Sequence, residues 1–140
     1  MGVEDLRPGL RHSAAMVVTE AMAVSAASGR FPGATDMPPV LATANLIAFV
    51  EWTCVEALAP YVAPHQRTVG THIDMSHSAA TPIGMSIAAD IELVAIEGRR
   101  LRFRFACHDA VDAIGEGFHE RAVVDHARFM RRLDEKIGPG

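Results

Sequence analysis

The chain has 140 residues, is 49% apolar and 21% charged, and carries a formal net charge of −4. A chain of this size and apolarity can bury a proper core, which excludes disorder. A nucleic-acid protein should show a concentrated basic face, and the basic residues here are scattered. No signal peptide is evident in the first eleven residues, and no stretch is long and apolar enough to span a bilayer. The two cysteines, Cys54 and Cys107, sit in apolar segments and read as reduced core thiols of a cytoplasmic protein.

In chain order, Leu10–Val24 is apolar with a strand-like centre at Met16–Thr19. Ala21–Asp36 is rich in Ala, Ser and Gly, contains Pro32 and Gly33, and reads as a loop or a short helix leading into one. Met37-Pro38-Pro39 is extended, because each proline disfavours helix in the residue before it. Ala44–Ala59 is almost continuously apolar and is the strongest helical signal. Thr43 stands at its N-cap and Pro60 ends it. A helix apolar on nearly every side should be buried on nearly every side.

Strand signals follow. Val69, Thr71, Ile73, Met75 and His77 alternate with Gly70, His72, Asp74 and Ser76, so each set takes its own face. Thr81-Pro82-Ile83-Gly84 is turn chemistry. Met85 to Leu93 and Leu101 to Cys107 alternate again, separated by a hairpin turn at Glu97–Arg100. A fourth strand covers about Ala113–Val124, and Asp125–Lys136 spaces Phe129, Met130 and Leu133 as a short amphipathic helix. The order is strand, loop, buried helix, then four consecutive strands, in one domain over residues 1–140. This predicts an α+β hotdog fold, a curled antiparallel sheet wrapped around one long central helix. Its open sheet edges are a liability that pairing two subunits would cover.

Several residues could carry chemistry. Glu51 lies inside the most apolar helix: it either emerges on a wet stripe, or serves as base or nucleophile in a pocket. Thr43 is either a cap alone or part of a helix N-terminus whose free amides suit a developing oxyanion. His77 shares an apolar face and is either a satisfied core residue or a catalyst. His119 and Arg121 share one face of the last strand behind Gly115 and Gly117, small residues that would let a ligand approach the backbone. No metal constellation, dinucleotide fingerprint or nucleophile elbow is present in the sequence.

Four ordered blocks resemble the fluoroacetyl-CoA thioesterase family of hotdog proteins. They are Ala42-Thr43-Ala44 through Val50-Glu51-Trp52-Thr53-Cys54 to Ala59-Pro60-Tyr61; Val69-Gly70-Thr71 to Ser76–Pro82; Val94–Leu101; and Gly115–Val124. The resemblance covers roughly Pro38 to Leu133. It implies a catalytic set of Thr43, Glu51 and His77, with Gly70 and Arg121 contacting the substrate. It implies a homodimer with sites near the subunit interface, an acyl-CoA substrate, and no cofactor beyond the CoA that belongs to that substrate. The fluoroacetyl-specific enzyme carries a phenylalanine lid where this chain has Met37, a more flexible and less shape-defining side chain. Hydrolysis of a short acyl-CoA is therefore implied more firmly than fluoroacetyl selectivity. The alternatives are a non-catalytic hotdog that binds an acyl-CoA or another small ligand, and a hotdog dehydratase or hydratase, whose His-and-Asp/Glu helix motif is missing.

Overall fold

A computed structural model describes residues 1–29, 31 and 33–138. Among the described residues there are five strands: β1 (Arg11–Val17), β2 (Gln66–Met75), β3 (Ser86–Glu97), β4 (Arg100–Asp109) and β5 (Ala113–Asp125). They form one antiparallel sheet in the order β1-β3-β4-β5-β2. Among the described residues two α-helices accompany it, α1 (Thr43–Leu58) and α2 (His126–Ile137). Helix α1 touches β1 and β2, which lie at opposite edges of the sheet, as well as β3. A sheet whose two edges both reach one helix is curled around it, which is the hotdog arrangement expected from the element order.

The core follows from period-2 alternation. Ile87, Ala89, Ile91 and Leu93 of β3 and Leu101, Phe103, Phe105 and Cys107 of β4 are all buried, with Ile91 opposite Phe105 and Leu93 opposite Phe103. Helix α1 adds Leu46, Phe49, Val50, Cys54 and Leu58. Each large apolar side chain so buried stabilises the fold by about 1.5–3 kcal/mol. Both cysteines are free and buried, and burial pushes each thiol up to about 12. The hairpin between β3 and β4 turns at Gly98, whose φ of 59° suits glycine. Asp125 caps α2, its carboxylate accepting from the Arg128 amide at 2.9 Å.

Three expectations are corrected. Helix α1 is not buried all round: Ala44, Ala48, Trp52 and Glu56 form an exposed stripe at four-residue spacing, with Trp52 62% exposed. The sheet covers only the opposite side, so an apolar stripe faces outward. Thr43 is the first helical residue rather than the cap; Ala42 takes that position and makes no side-chain cap bond. The described residues between β1 and α1 include short 3₁₀ turns at Glu20–Met22, Val24–Gly29 and Ala34–Asp36, in keeping with the loop or short helix read there. Pro32 lies outside the described residues. Strand β2 does not alternate uniformly either. Its pairing with β5 shifts register between Gly70 and His72, a β-bulge at Thr71. One extra residue moves every side chain before it to the other face. Thr68 and Gly70, not Val69 and Thr71, therefore share the inner face with Ile73 and Met75.

Candidate active site

Glu51 projects from the middle of α1 toward the inner faces of β2 and β5, with its side chain 43% exposed. The bulge in β2 turns Gly70 toward it, and Gly70 pairs across the ladder with Arg121. Arg121 Nη1 stands 3.8 Å from Glu51 Oε1, and His119 Nε2 stands 3.9 Å from the same oxygen. Neither distance is a direct hydrogen bond. The guanidinium is instead held from behind. Its Nε donates to Thr68 Oγ1 at 3.0 Å and its Nη2 to the Thr68 carbonyl at 2.9 Å, while Nη1 donates to His119 Nε2 at 3.1 Å. His119 donates from Nδ1 to the His72 carbonyl at 2.7 Å. His119 and Arg121 are both buried. Burial pushes the His119 imidazole and the Arg121 guanidinium down from their ordinary ranges; the His72 hydrogen bond opposes the shift at His119 and Arg121 adds to it.

A second cluster lies at the start of α1. Thr43 Oγ1 and His77 Nδ1 are 2.7 Å apart. His77 follows the end of β2, on a segment whose Ser76 and Ser78 amides still bond to β5 carbonyls, and this continues the inner-face alternation. His77 Nε2 is buried without a hydrogen-bond partner among the described residues. Burial pushes His77 down from its ordinary range, so the ring is neutral at pH 7. The Thr43 and Ala44 amides have no acceptor among the described residues, as the first amides of a helix have none within it. A neutral imidazole beside open helix amides suits the oxygen of a polarised carbonyl. Eight residues separate Thr43 from Glu51, a rise of about 12 Å along the helix axis.

The hotdog frame agrees with the comparisons. The family model described as fluoroacetyl-CoA-specific thioesterase matches residues 12–127. The chain belongs to that family. The fluoroacetyl-CoA thioesterase of Streptantibioticus cattleyicolor is 38% identical over 137 residues, 98% of this chain and 99% of that protein. A phenylalanine-to-alanine variant of the fluoroacetyl-CoA-specific thioesterase FlK, solved with fluoroacetate and CoA, superposes with a TM-score of 0.86. It is 40% identical and covers 89% of this chain and 99% of its own. A thioesterase-superfamily protein of Thermus thermophilus, 23% identical over 99% of this chain and 100% of its own, shares the fold with a TM-score of 0.85.

Among the residues that resemblance to this thioesterase family singles out, the structure thus gathers two groups, Thr43 with His77 and Glu51 with Gly70 and Arg121, and one chain does not join them. Met37 stands 49% exposed after the Ala34–Asp36 turn. The sequence suggests that Gly115 and Gly117 make room for a ligand, but the backbone of β2 and of the residues that follow it fills that space. A Cβ on Gly115 would lie 2.5 Å from the Ser76 carbonyl oxygen, and one on Gly117 would strike the Asp74 carbonyl, so both let β2 approach β5 closely. His119 is visible in the sequence only as the neighbour of Arg121 on an alternating face. Thr68 has no sequence signal, because its role depends on the bulge. Among the described residues no group of three or more His, Cys, Asp and Glu could hold a metal ion, and no helix is long and apolar enough to cross a membrane.

Proposed function

We propose that this thioester hydrolase cleaves a short acyl-CoA to the free acid and CoA, with Glu51 as nucleophile or as the base that activates water. The observation that carries the reading is the Glu51 carboxylate, half-exposed on the central helix and facing Gly70, with a buried guanidinium 3.8 Å away. A carboxylate there can attack a thioester carbonyl or take a proton from water. His77, oriented by Thr43, assists proton transfer and charge stabilisation. The Thr43 and Ala44 amides and the Gly70 amide are the candidate oxyanion donors, and Arg121 is a substrate contact. The fluoroacetate and CoA bound by the FlK variant support an acyl-CoA as the substrate class. Met37 takes the place of a rigid aromatic lid, so we assign a range of short acyl groups rather than fluoroacetyl alone.

We infer further that the working unit is a homodimer. The exposed stripe Ala44, Ala48 and Trp52 on α1 is apolar and adjoins Glu51, and no strand among the described residues pairs with the outer edge of β1 or β2. The axial gap of about 12 Å between Thr43 and Glu51 favours a site shared between copies, in which Glu51 of the partner subunit faces Thr43 and His77.

Steady-state hydrolysis of an acyl-CoA panel by wild type and Glu51→Ala tests the reaction. Wild type is expected to turn over acetyl- or fluoroacetyl-sized thioesters, and Glu51→Ala to lose about 10²-fold or more in kcat. Equal rates in the two proteins refute the site. Tight binding with no turnover across the panel makes the protein a ligand-binding hotdog instead.

A further inference from the structure

We propose that His119 is a positioning residue for Arg121 and Gly70, acting as a neutral imidazole that holds the β2 bulge through one nitrogen and the arginine through the other. The inference rests on the reading of Glu51 as the reactive carboxylate, and deepens it.

Partner chemistry fixes the tautomer. The His72 carbonyl can only accept, so Nδ1, 2.7 Å away, carries the proton. The Arg121 guanidinium can only donate, so Nε2, 3.1 Å from Nη1, is the bare acceptor. Both ring nitrogens are thus committed, in a side chain only 1% exposed. His72 is the residue at which the β2–β5 register resumes after the bulge. One ring therefore ties down the backbone distortion that turns Gly70 toward Glu51 and also the guanidinium that faces Glu51. Thr68 holds the other edge of that guanidinium through Nε and Nη2. With His119 removed, Nη1 loses its acceptor, and the planar guanidinium is held against Glu51 by its Thr68 edge alone.

The arrangement works in one charge state only. A proton on Nε2 would abolish the acceptor and set two cations 3.1 Å apart. The charged and titratable groups around the ring are Arg121 on its own strand, Glu51 on α1 and His72 on β2; its partner on β4 is the uncharged Phe103. Burial and Arg121 both favour the neutral ring.

The test compares His119→Ala, His119→Gln and Glu51→Ala in acyl-CoA hydrolysis from pH 4.5 to 9, with folding followed by circular dichroism. His119→Ala is expected to lower kcat at least about tenfold, with a smaller change in KM, because a misplaced neighbour costs rate rather than binding. His119→Gln, whose amide offers one donor and one acceptor, recovers part of the loss. It also makes the acid limb of the profile less steep, since one titrating group is gone while His77 remains. In a cycle with Arg121→Gln, the His119→Gln/Arg121→Gln double variant is no slower than Arg121→Gln alone, the signature of one residue acting through the other. Wild-type kcat in His119→Ala, additive losses in the cycle, or an unchanged acid limb in His119→Gln would each overturn the proposal. If His119→Ala fails to fold, the glutamine variant and the cycle decide. Glu51→Ala separates the two levels: if it abolishes turnover while the His119 variants match wild type, the positioning role alone is wrong. If Glu51→Ala matches wild type, the reading of the site fails and takes the His119 role with it.

Discussion

A Cβ added to Gly70 would lie 2.5 Å from Glu51 Oε1, 3.2 Å from His119 Cε1 and 3.4 Å from Arg121 Nη1. The closest of these atoms is the tip of a flexible, half-exposed side chain, so the fold can accept alanine by letting Glu51 swing outward. With Glu51 as the reactive carboxylate proposed above, catalysis cannot accept it on the same terms, because displacement of a reacting group by about 1 Å can cost about 10²-fold in rate. Gly70→Ala is therefore expected to keep its melting temperature within a few degrees of wild type and to lose about 10- to 100-fold in kcat/KM. Calorimetry and steady-state kinetics on one preparation check both halves. A large drop in melting temperature would show that the space, not Glu51's position, is what glycine protects.

Thr43 and His77 make a separable prediction. Thr43→Val keeps the shape of the side chain and removes the oxygen 2.7 Å from His77 Nδ1, so His77 loses its orientation while α1, which has no side-chain cap bond to lose, stays intact. A fall of about tenfold or more in kcat is expected. His77 has its pKa lowered by burial, so it is neutral above its ordinary range near 6.5 and stays neutral some way below it. The rate should fall as pH drops through that depressed value, not at 6.5 or above. A pH–rate profile of wild type against His77→Ala reads this directly. An acid limb that is identical in the two proteins would remove His77 from proton transfer.

The fold was legible because its signals are periodic and local. β3 and β4 alternate without interruption over their buried residues, and Gly98 supplies the hairpin turn their spacing calls for. The limits of α1 come from Pro60 and from the extended residues before Thr43. The site was legible only in part, for a definite reason. Glu51 announces itself as a charge in an apolar run, and His77 as a polar residue on an apolar face. Thr68 and Gly70 do not, because a single extra residue at Thr71 reverses the phase of the strand, and periodicity carries no sign of where such a residue sits. The outward stripe of α1 was hidden likewise: Ala44, Ala48 and Trp52 look like core residues in sequence, and only the extent of the sheet shows which apolar face it leaves uncovered.

Asp109 predicts how the fold responds to acid. It is 7% exposed and accepts from Thr81 Oγ1 at 2.8 Å, the Val111 amide at 2.8 Å and the Asp112 amide at 2.7 Å. The Thr81 carbonyl in turn accepts from the Leu41 amide. One carboxylate thus ties the β4–β5 turn to the segment between His77 and β3, and through it to the chain entering α1. The two amides and the Thr81 hydroxyl hold its pKa below the usual carboxylate range. The unfolded carboxyl binds its proton at higher pH than the folded one, so this stabilisation is complete above the unfolded value of about 3.9 and is lost as pH falls through the lowered folded value. Asp109→Ala leaves the buried Thr81 hydroxyl and two part-buried amides without an acceptor and should cost about 1–3 kcal/mol at neutral pH. Urea titrations at pH 7 and pH 3 check the sign: the gap in stability between wild type and variant should narrow in acid. A gap that stays constant would assign the effect to packing rather than to the ionised carboxylate.

The separation of Thr43 from Glu51 along α1 allows a decisive experiment on whether two copies share a site. If each site takes Thr43 and His77 from one copy and Glu51 from the other, then Glu51→Ala and His77→Ala homodimers are both inactive, but a mixed dimer is not. In the mixed dimer one site carries both lesions and the other carries none. Co-expressing the two variants with different tags and purifying the doubly tagged species should therefore restore turnover at one wild-type site per dimer. If instead all three residues of a site belong to one chain, every site in the mixed dimer carries one lesion and activity stays at the level of the single variants. The contrast is between one intact site and none, so it holds for any acyl-CoA that the wild type turns over. Trp52→Arg, which puts a charge on the exposed stripe of α1, supplies the control. It should shift the protein to monomer in size-exclusion chromatography with light scattering, and abolish the restored activity along with the dimer. A monomeric Trp52→Arg protein that hydrolyses acyl-CoA at the wild-type rate would place the whole site within one chain.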